Sequence, residues 1–555
     1  MTPQDRDFTA WPAAEATRYR ASGYWRGVVV SEVFRTAATT FADRIAVVDD
    51  AQQMTYRELD RAADRFAAGL VDRGLTDGCR VIVHLPNRVE TVVVLLGLLR
   101  SRAVPVLALP AHRESEIVHL HRVAQAYGYI VGGDLPGYRV ETAVERLRSV
   151  CALEHVVVVG GAAPAGTEPY GAVSRDLDAG DIPSLPDPAA PALFLLSGGS
   201  TGLPKLIPRT HDDYAYNARA MAELCRIDRD DAYLAVLPIA HNFALACPGV
   251  LGVFGCGGRV VLSRSANPSE AFEIIARENV TVTSLVPSLA TLWAEAVDAL
   301  APDVRTIRLV QVGGAKLTQP SAHRINVALP GTLQQVYGMA EGLLVATRLD
   351  DPDPVIESTQ GRPLSPGDEL RIVDGNDDPV PPGETGELLV RGPYTLRGYF
   401  RAGQHNARAF TADGFYRTGD LVRLTPEGNL VVAGRADDII NRGGEKVDPT
   451  EIETHLRTHP DIEDAVVVPV PDPAWGQQVT ACLRLRDAAD TTRLSPAALG
   501  TFLRGRGVAA YKWPQRIHIL DQLPLTALGK PDRRRAARMV TEQRQHAATP
   551  VTEGS

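Results

Sequence analysis

Between Ser197 and Lys205 the chain reads SGGSTGLPK, directly after the apolar run ALFLL. Glycine admits positive φ and close approach, so a loop of Gly, Ser and Thr can turn backbone N–H groups and hydroxyls toward phosphate oxygens. Lys205 could add a positive charge. The spacing is not that of a Walker A loop, GxxxxGK followed by Ser or Thr, because Lys205 follows Leu203-Pro204 and precedes Leu206. A P-loop NTPase is excluded, and taken alone the loop is as readily a surface turn. YGMAEG (337–342) follows the strand-like LQQV. There Tyr337 could stack on a base and Glu341 could hold Mg2+, a hard cation that takes oxygen ligands. In YRTGD (416–420) Asp420 could accept hydrogen bonds from ribose hydroxyls, although an Asp in a β-turn is common. GRADDIINRGGEKVDPTEIE (434–453) carries Arg435 and Asp437, and LPLTALGK ends in Lys530 on a Gly-containing loop. An isolated lysine is ordinarily a solvated surface charge.

Short β-branched runs with helical stretches between them must position these residues: RVIVHLP (80–86), HVVVVGG (155–161), ALFLLSGGS (192–200), YLAVLP (233–238), VTSLVP (282–287) and IRLVQVGGA (307–315). Such runs predict buried, largely parallel strands of an α/β protein, with crossovers such as TYRELDRAADRFAAGLVDRG (55–74). After about residue 365, Gly/Pro turns between shorter strands predict a hairpin-rich, more antiparallel subdomain. From GRADD onward a helix (449–459), strands (464–471, 478–486, 516–520) and a helix near SPAALGTFLRGRG predict a compact α+β domain. The expected division is residues 1–434, 435–540 and a disordered tail at 541–555, the chain after about Ala537 being polar and without apolar periodicity.

Composition sets outer limits. The 555 residues are 45% apolar and 23% charged, ordinary for a globular protein of two or more domains. A net charge of −9 gives no footprint for nucleic acid or an anionic membrane, so a small anionic substrate needs a local basic site. Six scattered cysteines without CxxC pairs suggest neither a disulfide framework nor a zinc site. The start MTPQDRDFTAWP lacks the basic and apolar regions of a signal peptide, and no apolar run is long enough to span a bilayer. A cytoplasmic protein is expected.

The five motifs, in this order and at these spacings, resemble the adenylate-forming superfamily of acyl-CoA synthetases, peptide-synthetase adenylation domains and luciferases, over about residues 30–535. SGGSTGLPKLIPRTHDDY, AHNFALACPG, LQQVYGMAEG, TQGRP and RGPYTLRGYF are most similar to stand-alone aryl-acid adenylating enzymes of siderophore-type biosynthesis, which share Ala340 where many superfamily members have Thr. The resemblance implies a large N-terminal domain of stacked αβα subdomains plus a β-rich subdomain, followed by a small, mobile α+β C-terminal domain. It implies ATP and Mg2+ as cofactors and a two-step reaction: carboxylic acid plus ATP gives acyl-AMP and pyrophosphate, and the acyl group then passes to a thiol. By motif match, Ser197, Gly198, Gly199, Ser200, Thr201, Gly202 and Lys205 would hold the triphosphate and Glu341 the metal. Gly314, Tyr337 and Gly338 would line the nucleotide pocket, with Asp420 and Arg435 at the ribose. Lys530 would reach both the acid and the α-phosphate, Asp437 would be a hinge, and His241 would lie near the carboxylate.

The acid site implied by the resemblance comprises Asn242, Phe243, Cys247, Gly313 and Leu344. Amino-acid-activating relatives place an Asp where Asn242 sits, and a neutral amide there suits a 2-hydroxy aromatic acid better than an ammonium group. Dihydroxybenzoate activators tend to have Ser and Val at the positions of Cys247 and Leu344, whereas salicylate activators tend to have Cys and Leu. A thiol is a weak hydrogen-bond partner and Leu leaves less room, so a second ring hydroxyl is disfavoured. The resemblance therefore points to a salicylate–AMP ligase that passes salicyl groups to a phosphopantetheinylated aryl carrier protein in trans. 2,3-Dihydroxybenzoate or 3-hydroxypicolinate as the acid, coenzyme A as the acceptor, and a non-catalytic binder on the same fold are the alternatives.

Overall fold

The computed structural model describes residues 8–548 except 152, 179–180, 198–203, 439, 443–444, 473–475, 488, 492–493, 507, 509 and 527–530, with backbone alone for 437, 441, 445–446, 476 and 543–548. The chain forms two compact units, residues 1–370 with 389–417, and 371–388 with 418–555.

Two large sheets organise the first unit. One runs in the order Glu168–Pro169, His155–Val159, Gly128–Gly132, Arg80–His84, Val104–Leu107, Pro191–Leu196, Leu206–Thr210, and is parallel except for the last pair. The other has nine strands, in the order Arg362–Pro363, Leu344–Ala346, Thr332–Gly338, Leu309–Gly313, Val282–Leu285, Ala232–Ala235, Arg259–Leu262, Ile45–Val48, Gln53–Thr55. Its middle is parallel and its edges are antiparallel. All six β-branched runs are strands of these sheets, buried on both faces as helix-covered parallel sheets require. The crossover expected at 55–74 is the helix Tyr56–Asp72, begun by Thr55 and Glu58, each of which bonds the other's backbone N–H.

One buried amide stitches the two sheets together. Asn87 follows the strand Arg80–His84, and its Nδ2 donates to the carbonyls of Ala235 (3.0 Å), Leu237 (2.9 Å) and Ser263 (3.1 Å), while Oδ1 accepts from Ile239 N–H (2.9 Å). It thereby fixes the segment that leads into His241.

In the second unit residues 420–424 of the strand Tyr416–Leu424 run antiparallel to Leu430–Arg435, with Asp420 opposite Arg435. The expected boundary at 434/435 thus falls inside a strand. Farther on, Ile462–Asp472 and Gly476–Leu485 form a long antiparallel pair, with Arg516–Ile519 parallel to the latter. The helices Pro449–Leu456 and Pro496–Arg504 cover one face of this sheet around Ile452, Leu456, Leu499 and Leu503. The end of the chain differs from expectation: Arg533–Ala548 is a helix. Ala536 and Val540, one turn apart, are buried against Val466, Val468 and Leu523, a two-residue apolar stripe too short to register as periodicity. Among the described residues no helix is long and apolar enough to cross a membrane.

Asn87→Ala leaves three carbonyls and one N–H without that partner, so it is expected to cost about 2–4 kcal/mol of stability. Urea unfolding checks this: a lowered midpoint at unchanged slope is expected, and an unchanged midpoint contradicts the role given to Asn87.

Candidate active site

The glycine-rich segment connects two antiparallel strands, Pro191–Leu196 and Leu206–Thr210, rather than a strand and a helix. Ser197 N–H donates to the Lys205 carbonyl and Lys205 N–H donates to Ser197 Oγ, both at 3.0 Å, which fixes the base of the loop. Gly198, Gly199, Ser200, Thr201 and Gly202 lie outside the described residues, as does Lys530. Lys205 Nζ sits 5.5 Å from the centroid of the Tyr399 ring. The Tyr399 hydroxyl donates to Glu341 Oε1 at 2.7 Å and lies 2.8 Å from the Tyr416 hydroxyl. Burial, reinforced by the Glu341 carboxylate, holds the Tyr399 phenol far above its ordinary range, so it remains a donor. Lys205 and Glu341, 136 positions apart in the sequence, thus share one aromatic bridge. Among the described residues no three His, Cys, Asp or Glu side chains converge as a metal cluster. Glu341 supplies a carboxylate, the kind of oxygen donor with which Mg2+ is held beside substrate phosphates.

Gly313 and Tyr337 lie at the C-terminal ends of neighbouring parallel strands, Gly313 in register with Val336, and Gly314 follows with φ +90°. The C-terminal edge of a parallel sheet is where open α/β folds bind ligands. A Cβ at Gly313 would lie 2.6 Å from the Val336 carbonyl oxygen and 3.1 Å from Cζ of Phe243, so the missing side chain is what admits the Phe243 ring. Gly338 pairs with Leu344, whose Cδ2 would be 2.5 Å from a Cβ at 338. His241 precedes the short helix Asn242–Ala246 and accepts the Phe243 N–H at Nδ1 (3.3 Å), which puts the proton of a neutral imidazole on Nε2. Asn242 Oδ1 accepts from the Tyr214 hydroxyl (3.0 Å) and its Nδ2 donates to Cys247 Sγ (3.5 Å). Burial pushes the Cys247 thiol up to about 12, so it is neutral at physiological pH. The structure thus brings Asn242, Phe243 and Cys247 together, and likewise Phe243 with Gly313 and Gly338 with Leu344.

Behind these groups stands a fully buried guanidinium. Arg209 Nε donates to Asp213 Oδ1 (2.7 Å), Nη1 to the Ala340 carbonyl (3.1 Å) and Nη2 to Asn217 Oδ1 (3.2 Å), and its plane covers the Tyr214 ring at 4.7 Å. Asp213 Oδ2 accepts from Thr210 N–H (2.6 Å) and Oγ1 (2.8 Å) at the start of the helix His211–Leu224. Asn217 Nδ2 donates to the Ala246 carbonyl (2.7 Å). None of this network was singled out in the sequence: Arg209 lies in the strand Leu206–Thr210, whereas Asp213 and Asn217, four positions apart, share a face of the helix His211–Leu224. Tyr399 lay within a quoted motif without a role. Tyr233 lies on the same buried sheet face as Ser284, Gln311 and Gly313, with its hydroxyl toward Ser284.

In the second unit Arg435 Nη1 pairs with Asp420 Oδ1 at 3.0 Å, and Asp420 N–H donates to Thr418 Oγ1 (3.0 Å). Asp437 lies in the single turn Ala436–Asp438. Its side chain lies outside the described residues.

Two family descriptions match the chain: "AMP-binding enzyme" over residues 34–400 and "AMP-binding enzyme C-terminal domain" over 451–530. The 2,3-dihydroxybenzoate-AMP ligase of Bacillus subtilis is 46% identical, covering 97% of this chain and 98% of its own. The salicyl-AMP ligase / salicyl-S-ArCP synthetase of Mycobacterium tuberculosis is 46% identical with 97% of each chain covered. Triostin synthetase I of Streptomyces triostinicus is 49% identical over 95% of this chain and 97% of its own. Among solved structures, the Mycobacterium smegmatis MbtA apo structure is 48% identical with a TM-score of 0.75, covering 97% of this chain and 100% of that one. The chain belongs to the AMP-binding, adenylate-forming enzyme family, in its aryl-acid AMP ligase class.

Leu344 is held from behind by a titratable pair. Its N–H donates to the Tyr394 hydroxyl (3.2 Å), which donates to Asp368 Oδ2 (2.7 Å), and Asp368 Oδ1 is buried without a partner among the described residues. Burial raises the Asp368 carboxyl to about 7, above its unfolded value, so the folded state binds the extra proton between roughly pH 4 and 7. Its contribution to stability is complete below pH 4 and is lost as the pH rises through 7. Asp368→Asn is expected to flatten the fall of Tm between pH 5 and 8. An equally steep fall in the variant shows that other groups carry it.

Proposed function

We propose that this enzyme activates salicylate with ATP to salicyl-AMP and pyrophosphate, and then passes the salicyl group to the phosphopantetheine thiol of an aryl carrier protein in siderophore or related natural-product biosynthesis. The observation that carries the reading is the buried neutral cluster of Asn242, Tyr214 and Cys247. No carboxylate stands there to pair an ammonium group. With Oδ1 accepting from Tyr214, the Asn242 amide offers its second N–H to the 2-oxygen of the ring. Leu344 over Gly338 narrows the site, and the neutral Cys247 thiol is a poor partner for a second hydroxyl.

In the first step a carboxylate oxygen attacks the α-phosphorus and pyrophosphate leaves. Two anions meet, so catalysis consists of holding them and balancing charge in the transition state. His241 turns its Nε2–H toward the carboxylate, and Lys530 is assigned the carboxylate and α-phosphate together. Lys205 and the loop Ser197–Gly202 hold the β- and γ-phosphates. Tyr399 orients Glu341, the carboxylate that would hold Mg2+, and the metal would there neutralise phosphate charge. Tyr337, Gly314 and Gly338 take the adenine, and Asp420, oriented by Arg435, takes the ribose hydroxyls. For the second step the C-terminal domain turns about Asp437 and withdraws Lys530, and the thiol attacks the acyl carbon with AMP as leaving group.

ATP–pyrophosphate exchange with salicylate, 2,3-dihydroxybenzoate, benzoate, anthranilate, 3-hydroxypicolinate and several amino acids is the first test. The highest kcat/KM is expected with salicylate, and exchange with amino acids alone overturns the reading. Cys247→Ser with Leu344→Val is expected to move the ratio of kcat/KM toward 2,3-dihydroxybenzoate by about tenfold. An unmoved ratio assigns specificity to other residues. Lys530→Ala is expected to lower adenylation by about 10²-fold or more with the fold intact by circular dichroism. Near-normal adenylation removes that role. Thioester formation that saturates with carrier protein rather than with coenzyme A separates the two acceptors.

A further inference from the structure

The geometry points to Arg209 and Asn217 as positioning residues that couple acid binding to nucleotide binding: one buried guanidinium holds the loop that presents Glu341 and, through Asn217 and Tyr214, both ends of the helix that presents Asn242 and Cys247. The inference rests on the proposed reading of these two sites. The guanidinium is committed on three sides. Asp213, itself tied to Thr210, sets its orientation, Nη1 reaches the Ala340 carbonyl immediately before Glu341, and Nη2 reaches Asn217. Asn217 passes the constraint to the Ala246 carbonyl, the last residue of the short helix before Cys247. Tyr214, under the guanidinium plane, passes it to Asn242 at the helix start. Arg209, Asp213, Tyr214, Asn217, Asn242 and Ala246 are all buried.

Such a cluster is close-packed, and interiors of that density move as units rather than yield locally. A displacement of Ala340 that accompanies engagement of Glu341 changes the distance to a guanidinium that cannot turn toward water. The least costly response carries Asn217 and the acid helix with it. Each ligand therefore changes the other's affinity, and by the same factor. Neither Arg209 nor Asn217 is assigned a contact with substrate, so their effect is on the linkage rather than on either ligand's own contacts. Lysine in place of Arg209 keeps the charge but lacks the planar fork that reaches Asp213, Ala340 and Asn217 at once.

The test is isothermal titration of the full chain with salicylate, alone and in the presence of Mg2+ and α,β-methylene-ATP. In the wild type the analogue is expected to tighten salicylate binding at least fivefold. In Asn217→Ala and in Arg209→Lys that ratio is expected to fall below twofold, while Kd for salicylate alone changes by less than the ratio does. Asn217→Ala spares the Arg209–Asp213 pair, so it keeps the test decisive where the arginine variant does not fold. A wild-type ratio near one, or a ratio preserved in the folded Asn217→Ala variant, overturns the coupling. Absence of salicylate binding in the wild type overturns the functional reading and the coupling with it. Binding at an unlinked ratio overturns the coupling alone.

Discussion

A guanidinium with no access to water must find acceptors wherever its five N–H groups point, and at Arg209 that requirement arranges the centre of the first unit. Acceptors are supplied by a carboxylate in the first turn of the following helix, by a side-chain amide one turn farther on, and by a backbone carbonyl from a loop 131 residues downstream. Replacing a buried ion pair by apolar groups is often neutral or stabilising, so this pair is poorly explained as a source of stability. Its physical consequence is geometric. An apolar contact tolerates sliding, whereas a fork with three named acceptors has one arrangement, and the loop carrying Glu341 and the helix Asn242–Ala246 inherit it.

The same region is closed by backbone approaches that leave no space for a side chain. Gly342, at the end of YGMAEG, has φ +135°, and a Cβ there would stand 2.2 Å from the Tyr394 carbonyl oxygen. Tyr394 in turn holds Leu344 N–H, and Leu396 N–H donates to the Glu341 carbonyl at 2.7 Å. The loop carrying Glu341 is therefore clamped between Arg209 on one side and residues 394–396 on the other. The carboxylate can be aimed by Tyr399 only because the backbone beneath it is fixed from both directions.

What could be read from the sequence follows from which signals are local. Buried parallel strands announce themselves as runs such as VIV and VVVV, and the helix Tyr56–Asp72 by its capping pair and apolar stripe, because each of those signals is complete within a dozen residues. The motifs around Lys205 and Glu341 were visible for the same reason. Tyr399 was not assignable, since its role exists only where Glu341, 58 positions earlier, comes to meet it. Asn87 reads as a polar residue after a strand until the second sheet brings three carbonyls to it. The helix Arg533–Ala548 escaped notice because only Ala536 and Val540 are buried on its described face, a stripe that makes sense only once the sheet below it exists. Arg209, Asp213 and Asn217 stand between these cases: they are close in the sequence, but nothing local says that the end of the strand Leu206–Thr210 and the helix face carrying Asp213 and Asn217 are both interior.

The electrical character of the cluster around Asn242 and Cys247 follows from the same burial. Tyr214 and Cys247 both have their ionisation pushed up by desolvation, Asn242 carries no charge, and the Arg209 guanidinium over the Tyr214 ring is already matched by Asp213. Tyr214, Asn242 and Cys247 are thus neutral at physiological pH. A carboxylate placed there would lose its hydration without gaining a counter-charge, at a cost of several kcal/mol, whereas an aromatic ring loses nothing. On the proposed reading this asymmetry orients the substrate before any catalytic residue touches it: the ring enters the neutral end, and the carboxylate is left facing the loops that carry Lys205 and Glu341. Orientation by exclusion also limits discrimination. It separates ring from carboxylate strongly, but it separates one substituted ring from another only by the small difference between a thiol and a hydroxyl, or between leucine and valine, along a single wall.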